Sequence, residues 1–237
     1  MILVLASRFD QAAAELVARW SEYGARLFTC RDLSSPGWSY SPGRESESVA
    51  LVGGQAIPAS EIGGIVVRLA GVSEREVPHI AEQDRAFVAS EMNAFLIAWL
   101  SALHCPVLNR PCASGLLAPG WRDEQWMHAA AMLGIPVRPA WRLVSLHTRA
   151  SPPQQSVMIA LTVVGERVIG SDDMALAAQA KRLAREANVD LLTLRFDNAA
   201  GEPRFYSAEP LADLDAHDAA DAVLEYMMER SPRARVA

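Results

Sequence analysis

The chain has 237 residues, of which 51% are hydrophobic and 21% charged, an ordinary balance for one large globular domain or two small ones. Its formal net charge of −6 argues against an extended nucleic-acid surface, and no apolar run approaches the roughly 20 residues that span a membrane. The cysteines Cys30, Cys105 and Cys112 have no metal-type spacing and are odd in number, so we expect no disulfide framework and a reducing, cytoplasmic location.

The N-terminal segment predicts a βαβ unit. The continuous apolar run 2–6 is typical of a buried parallel strand, and residues 25–30 predict a second one. Between them, residues 11–24 have apolar positions at helical spacing, and Asp10 is placed to cap that helix. We expect a right-handed crossover. Glycines in the middle of 48–58 predict a hairpin.

The next segment continues the alternation of strands and helices. Residues 63–71 predict another buried strand, which contains an arginine near its end, and residues 79–104 predict a long amphipathic helix. Residues 106–111 predict a short strand closed by proline, and a helix is predicted from about 121 to 133. The fold class expected from this order is α/β with a parallel N-terminal sheet.

The C-terminal half predicts more antiparallel structure. Residues 141–146 resemble a strand, and 156–171 predict a hairpin. A helix is predicted over 173–188, and two strands flank a turn at 198–201. A final helix is expected over 215–230.

The order of these pieces resembles one protein family. The segments ILVLASRFDQAAAELVARWSEYGARLF, VVRLAG and PVLNRPCA resemble the pre-ATP-grasp domain of RimK-like and peptide-maturase ATP-grasp ligases. The segments DEQWMHAAAMLGIPVRPAWRLV and AREANVDLLTLRFD…GEPRFYSAEPLADL are similar to parts of the same family's core. The resemblance implies a pre-ATP-grasp-like α/β domain over 1–112 and a truncated ATP-grasp-like domain over 113–237.

The chain departs from the family where the nucleotide is held. Only a short segment separates Trp141 from Val157, where the family has its lid subdomain, so we expect a reduced α+β core without a lid. A lysine of the family falls at or beside Asp123, whose charge would repel phosphate. The neighbouring Arg122 is the candidate substitute for phosphate or nucleotide binding. Because Lys181 is the only lysine, a mechanism that needs two lysines cannot operate.

The family's magnesium ligands are also incompletely matched. The resemblance implies an Asp, a Glu and an Asn, oxygen ligands of the kind that magnesium prefers. Asp190 matches the Asp, while the Glu and Asn positions fall on Ser207 and Glu209 in one register. A shift of two residues makes Glu209 the metal-binding Glu and leaves no Asn. If a metal site is retained, its candidates are Asp190 and Glu209.

Candidate substrate-binding residues lie near the carboxyl ends of the predicted parallel strands, where open α/β sheets bind ligands. They are Arg68, Asn109, Arg110 and Asp10. Each has a structural alternative: Arg68 would pair with Glu91, Asn109 would bond to turn backbone, and Asp10 would only cap its helix.

Three functions fit this interpretation of the sequence. The first is a degenerate ATP-grasp homologue without ligase activity or cofactor, a binding or accessory subunit in peptide modification or cofactor biosynthesis. The alternative is an active carboxylate–amine ligase that uses Mg-ATP. The third is different chemistry on a small anionic ligand. Expected partners are a small anionic ligand or a peptide and a partner enzyme. A homodimer is also expected, because loss of the lid would uncover apolar sheet surface.

Overall fold

The computed structural model describes residues 1–139, 158–198, 201–211 and 217–231. Within these ranges the strands are β1 (Ile2–Leu5), β2 (Ala25–Phe28), β3 (Val49–Val52), β4 (Gln55–Pro58), β5 (Gly64–Val67), β6 (Val107–Leu108), β7 (Met158–Val164), β8 (Arg167–Ile169), β9 (Leu191–Asp197) and β10 (Arg204–Glu209). The α-helices are α1 (Gln11–Arg19), α2 (Cys30–Leu33), α3 (Arg85–Ala102), α4 (Asp123–Met132), α5 (Met174–Glu186) and α6 (His217–Arg230). No helix in the described part of the chain is long and apolar enough to cross a membrane.

The N-terminal sheet is parallel, with strand order β2-β1-β5-β6. Leu3, at the centre of β1, is paired with Arg26 on one side and Ile65 on the other. Helix α1 packs on one face of this sheet and α3 on the other, which explains why its strands are almost wholly apolar. The predicted parallel α/β sheet is confirmed. Its strand order reverses between β1 and β5, which places a crevice beyond their carboxyl ends.

The first helix begins where the sequence predicts. The Asp10 carboxylate accepts a hydrogen bond from the backbone N–H of Ala13 at 2.9 Å, which satisfies one of the unpaired donors of the first turn. The long helix is shorter than predicted: α3 begins at Arg85, because residues 82–84 form a 3-10 turn before it. The predicted hairpin is present as β3 and β4, joined by Gly53 and Gly54 at positive φ.

The second sheet is antiparallel, with strand order β10-β9-β7-β8. Helices α4 and α5 cover one of its faces, where Leu161, Leu194 and Phe196 are fully buried. A bulge between Phe205 and Ser207 interrupts the pairing of β10 with β9. The predicted strand 141–146 and the segment in which the family's lid would lie fall outside the described residues, so the lack of a lid stays a prediction.

Helix α6 packs between the two sheets. Val223 and Met227 belong to a core that also contains Val4 of β1 and Leu191 of β9. The contact with the parallel sheet is close: a Cβ added at Gly64 would lie 2.4 Å from the Met227 Cε. The expected boundary between domains 1–112 and 113–237 separates the two sheets. Residues from both sides of it belong to one core. The division into domains therefore stays a prediction.

Candidate functional site

A cavity of about 530 Å³ lies between the end of the parallel sheet, the start of β9 and helix α6. Its apolar lining includes Pro106, Pro111 and Pro119, and the charged residues in the described part of its lining are Arg110, Asp190 and Arg230. A volume of this size is typical of sites for small molecules or short peptide segments. The structure thus brings together Asn109, Arg110 and Asp190, three of the residues singled out in the sequence, on one cavity.

The side chain of Asn109 forms hydrogen bonds with the other sheet. Its Nδ2 donates to the carbonyl of Leu191 at 2.7 Å, and its Oδ1 accepts from the N–H groups of Asp190 and Leu191 at 3.1 and 3.0 Å. Only 3% of Asn109 is exposed. Buried amides are stable when both of their polar atoms have partners, as here. Asn109 therefore joins the two sheets rather than bonding to its own turn.

Arg110 binds the carboxyl end of helix α3. Its Nη1 donates to the carbonyls of Leu100, Ser101 and Leu103 at 2.6, 3.0 and 3.0 Å, and its Nη2 donates to that of Cys105 at 2.8 Å. The last carbonyls of a helix lack partners within it and carry partial negative charge, so a guanidinium is well suited to them. Much of the donor capacity of Arg110 is thus used inside the protein.

Arg68 and Asp10 form an ion pair at the crevice of the parallel sheet. The Arg68 Nε lies 2.9 Å from the Asp10 Oδ2, and 12% and 19% of these side chains are exposed. Among the described contacts, the alternative that Arg68 pairs with Glu91 is wrong. The carboxylate that Arg68 contacts there is that of Asp10, and Glu91 is exposed. Nearby, the hydroxyl of Ser7 donates to Glu76 at 2.6 Å. Asp10 therefore caps α1 and neutralises Arg68 at once, and neither residue lines the cavity.

Asp190, Tyr226 and Arg230 form a cluster on the cavity wall. Burial, and then the neighbouring carboxylate of Asp190, raise the pKa of Tyr226 well above its ordinary value. The guanidinium of Arg230 lies over the Tyr226 ring, 4.5 Å from its centroid. Tyr226 is largely buried, whereas Asp190 and Arg230 are exposed. Sequence reasoning missed Tyr226 and Arg230, although their spacing of four residues in a helix puts them on one face.

Glu209 lies away from Asp190. It is paired with Thr193 across the sheet, and its carboxylate lies 3.3 Å from Arg195. Asp190 precedes Thr193 by three residues, about 10 Å at roughly 3.3 Å per residue along a strand. Among the described residues, no group of three or more His, Cys, Asp and Glu side chains is placed to hold a metal ion. Of the two candidate magnesium ligands, Asp190 lines the cavity and Glu209 does not.

The remaining basic candidates also lie outside the cavity lining. Arg122 is exposed at the N-terminus of α4, and the acidic Asp123 and Glu124 follow it in the first turn. The ammonium of Lys181, on α5, lies 3.9 Å from Glu166, which Arg185 also contacts at 2.7 Å. Neither Arg122 nor Lys181 therefore adds positive charge to the cavity wall.

Comparison by sequence finds no matching family model and no matching curated protein. Comparison of structures finds clear similarity. The chain matches the macrocyclase MdnC bound with the precursor peptide MdnA, from Microcystis aeruginosa MRC, with a TM-score of 0.73 and 12% identity over 97% of this chain and 99% of that one.

Two further structures agree. A Chryseobacterium gregarium RiPP-associated ATP-grasp ligase in complex with ADP and a leader and core peptide matches with a TM-score of 0.66 and 11% identity, over 98% of this chain and 97% of that one. A RimK domain ATP-grasp protein from Sphaerobacter thermophilus DSM 20745 matches with a TM-score of 0.52 and 16% identity, over 96% and 99%. The expected resemblance is confirmed at the level of fold: this chain has the fold of the ATP-grasp ligases.

Proposed function

We propose that this protein is an ATP-grasp homologue that does not ligate with ATP and instead binds a peptide in the cavity between its two sheets. It would act as a binding or accessory subunit beside an enzyme of peptide modification. One observation carries the proposal: the two carboxylates expected to hold magnesium have different surroundings. Asp190 lines the cavity together with Tyr226, whereas Glu209 pairs with Arg195 and lies opposite Thr193.

The chemistry of ligation explains why this separation matters. Transfer of a phosphoryl group needs preorganised positive charge, which magnesium and lysines commonly supply. Asp190 and the residue opposite Glu209 are separated by about 10 Å of backbone along the strand, whereas all ligands of one magnesium ion lie about 2.1 Å from it. The only lysine of the chain, Lys181, lies beside Glu166 on the surface of α5. These features support a binding role over catalysis with Mg-ATP.

A peptide is the partner that the similar structures favour. MdnC is bound with a precursor peptide, and the Chryseobacterium ligase is in complex with a leader and a core peptide. In this chain, a cavity with an apolar wall and a few charged groups is suited to an extended peptide segment. A role in cofactor biosynthesis and a small anionic ligand are the other outcomes that the sequence allows.

The experiment uses selection and a turnover assay on the purified protein. A displayed library of random peptides is selected on the immobilised protein, and consensus peptides are synthesised and titrated by fluorescence anisotropy. We expect saturable binding, and no phosphate release when Mg-ATP and these peptides are added together. Peptide-dependent release of phosphate would favour the active ligase. If no peptide is enriched, and citrate or phosphate alone raises the melting temperature, the small anionic ligand is favoured instead.

The homodimer is a separate proposal. It rests on the expectation that a core without a lid leaves apolar sheet surface uncovered. Sedimentation velocity on the purified protein is expected to show a species of twice the chain's mass of 25.7 kDa. A single species at the mass of one chain over the whole concentration range would contradict it.

A further inference from the structure

The charged groups of the cavity are not equivalent. Arg110 donates to four backbone carbonyls at the end of α3, so its guanidinium is largely occupied. Arg230 and Asp190 are both exposed, and no ion pair between them occurs in the described ranges. Among the described residues of the lining, one cation and one anion are therefore available to a ligand.

Tyr226 holds these two charges apart. Its ring lies under the guanidinium of Arg230, and it lines the same cavity as Asp190, whose carboxylate helps to raise the pKa of the Tyr226 hydroxyl. The ring itself is fixed by the turn between β7 and β8, because a Cβ added at Gly165 would lie 2.8 Å from the Tyr226 Cε2. A rigid spacer between opposite charges favours a ligand whose own charges are similarly separated, rather than a single amino acid.

An extended peptide meets that requirement. Each residue of an extended chain advances about 3.3 Å, so alternate side chains share a face and stand about 6.6 Å apart. The side chain between them turns to the other face, and the apolar lining with Pro106, Pro111 and Pro119 offers a surface for it. Proline has no N–H group, so that wall is poor in donors and suited to an apolar side chain.

We propose that the cavity binds an extended peptide segment with the pattern basic–apolar–acidic, in which the basic side chain pairs with Asp190 and the acidic one with Arg230. This inference rests on the proposed peptide-binding function and names the sequence class that the cavity recognises. A purely structural role, in which the three residues only tie α6 to the start of β9, would make the cavity indifferent to the charges of the peptide.

The test uses capped heptapeptides with Gly-Gly flanks around Lys-Leu-Glu, Lys-Leu-Gln, Gln-Leu-Glu and Gln-Leu-Gln. Each is titrated by calorimetry into the wild type, Arg230→Gln and Asp190→Asn. The matched control is Arg19→Gln, which removes the exposed ion pair with Asp221 on another part of α6. Thermal unfolding of every variant shows whether it is folded.

The expected pattern is specific to charge. Lys-Leu-Glu binds most tightly to the wild type, and Arg230→Gln weakens it about tenfold without affecting Lys-Leu-Gln, since a charge-assisted bond is lost only where the peptide has an acid. Asp190→Asn weakens only the peptides with lysine, and Arg19→Gln changes nothing. Equal affinity of the wild type for all four peptides, or a variant that weakens all four peptides equally, would overturn the pattern.

Failure of this recognition pattern can be distinguished from failure of the proposed function. If library-selected peptides bind but lack the charged pair, and the four heptapeptides bind alike or not at all, the recognition pattern is wrong and peptide binding stands. If no peptide of any sequence binds, the proposed function itself fails.

Discussion

The side chain of Asn109 forms two hydrogen bonds with the backbone of Leu191, as the backbone of a neighbouring strand would. The Nδ2 of Asn109 donates to the carbonyl of Leu191 at 2.7 Å, and the N–H of Leu191 donates back to the Asn109 Oδ1 at 3.0 Å. Asn109 follows β6 of the parallel sheet, and Leu191 begins β9 of the antiparallel one. A single buried side chain therefore links the backbones of the two sheets beside the candidate cavity.

Replacing Asn109 by alanine tests this link. Asn109→Ala leaves the N–H and C=O groups of Leu191 buried without their partner, so we expect a loss of about 3 kcal/mol in the free energy of unfolding. Urea denaturation measures it, with Gln11→Ala on the exposed face of α1 as a control expected within about 0.5 kcal/mol. Unchanged stability together with lost ligand binding would show instead that Asn109 acts on a ligand.

Arg110 is expected to act on stability through the end of α3. Arg110→Met keeps much of the apolar stem but removes the bonds to four carbonyls, and we expect a loss of about 1–2 kcal/mol, with part recovered in Arg110→Lys. Hydrogen exchange should quicken most in the last turn of α3. Wild-type exchange rates there, with reduced peptide affinity, would contradict the capping role and favour a substrate-binding one.

The pair of Asp10 and Arg68 is best measured by a double-mutant cycle. Asp10→Asn preserves an acceptor for the helix cap while removing the charge, and Arg68→Met removes the partner. We expect a coupling energy of about 1–2 kcal/mol in chemical denaturation, because both side chains are mostly buried. Glu91→Gln is the control and should not couple to Arg68→Met. Coupling of Arg68 with Glu91 instead would show that the described pair is not the one present in solution.

The three cysteines are expected to differ in reactivity and to affect stability at high pH. Burial raises the pKa of Cys30 to about 12 and that of Cys105 to about 11, while Cys112 is only partly buried. A thiol reagent should label Cys112 quickly and the other two only on unfolding. Fast labelling of three thiols in the folded protein would contradict this.

The sign of the pH effect follows from linkage. Since the folded pKa values of Cys30 and Cys105 lie above the unfolded value of 9.0, the unfolded state loses protons first as the pH rises. Stability is therefore complete below about pH 9 and falls between pH 9 and about 12. Urea midpoints across this range measure it. Cys105→Ala should show a shallower fall, and an identical slope would contradict the assignment.

Local patterns predicted much of the fold. The apolar run of β1, the capping by Asp10 and the glycines of the β3–β4 hairpin act within a few residues, so sequence alone locates them. The partners of Asn109 and the carbonyls bound by Arg110 depend on how distant segments meet. Composition and spacing carry no signal for such contacts.

The candidate site, too, could be predicted only in part from the sequence. Asp190 was found through its resemblance to a family motif, and the structure places it on the cavity. Tyr226 and Arg230 lie in α6, which packs back against the parallel sheet more than a hundred residues from Arg110. Only their helical spacing hinted at a common face, and nothing in the sequence shows that this face meets Asp190.

Calorimetric titration of the purified protein with Mg-ATP tests the central claim most directly. The separation of Asp190 from Glu209 predicts no magnesium-dependent binding heat at micromolar to millimolar nucleotide. Saturable binding of ATP that requires magnesium, and that is lost in both Asp190→Asn and Glu209→Gln, would contradict it, because the two carboxylates would then hold one metal site.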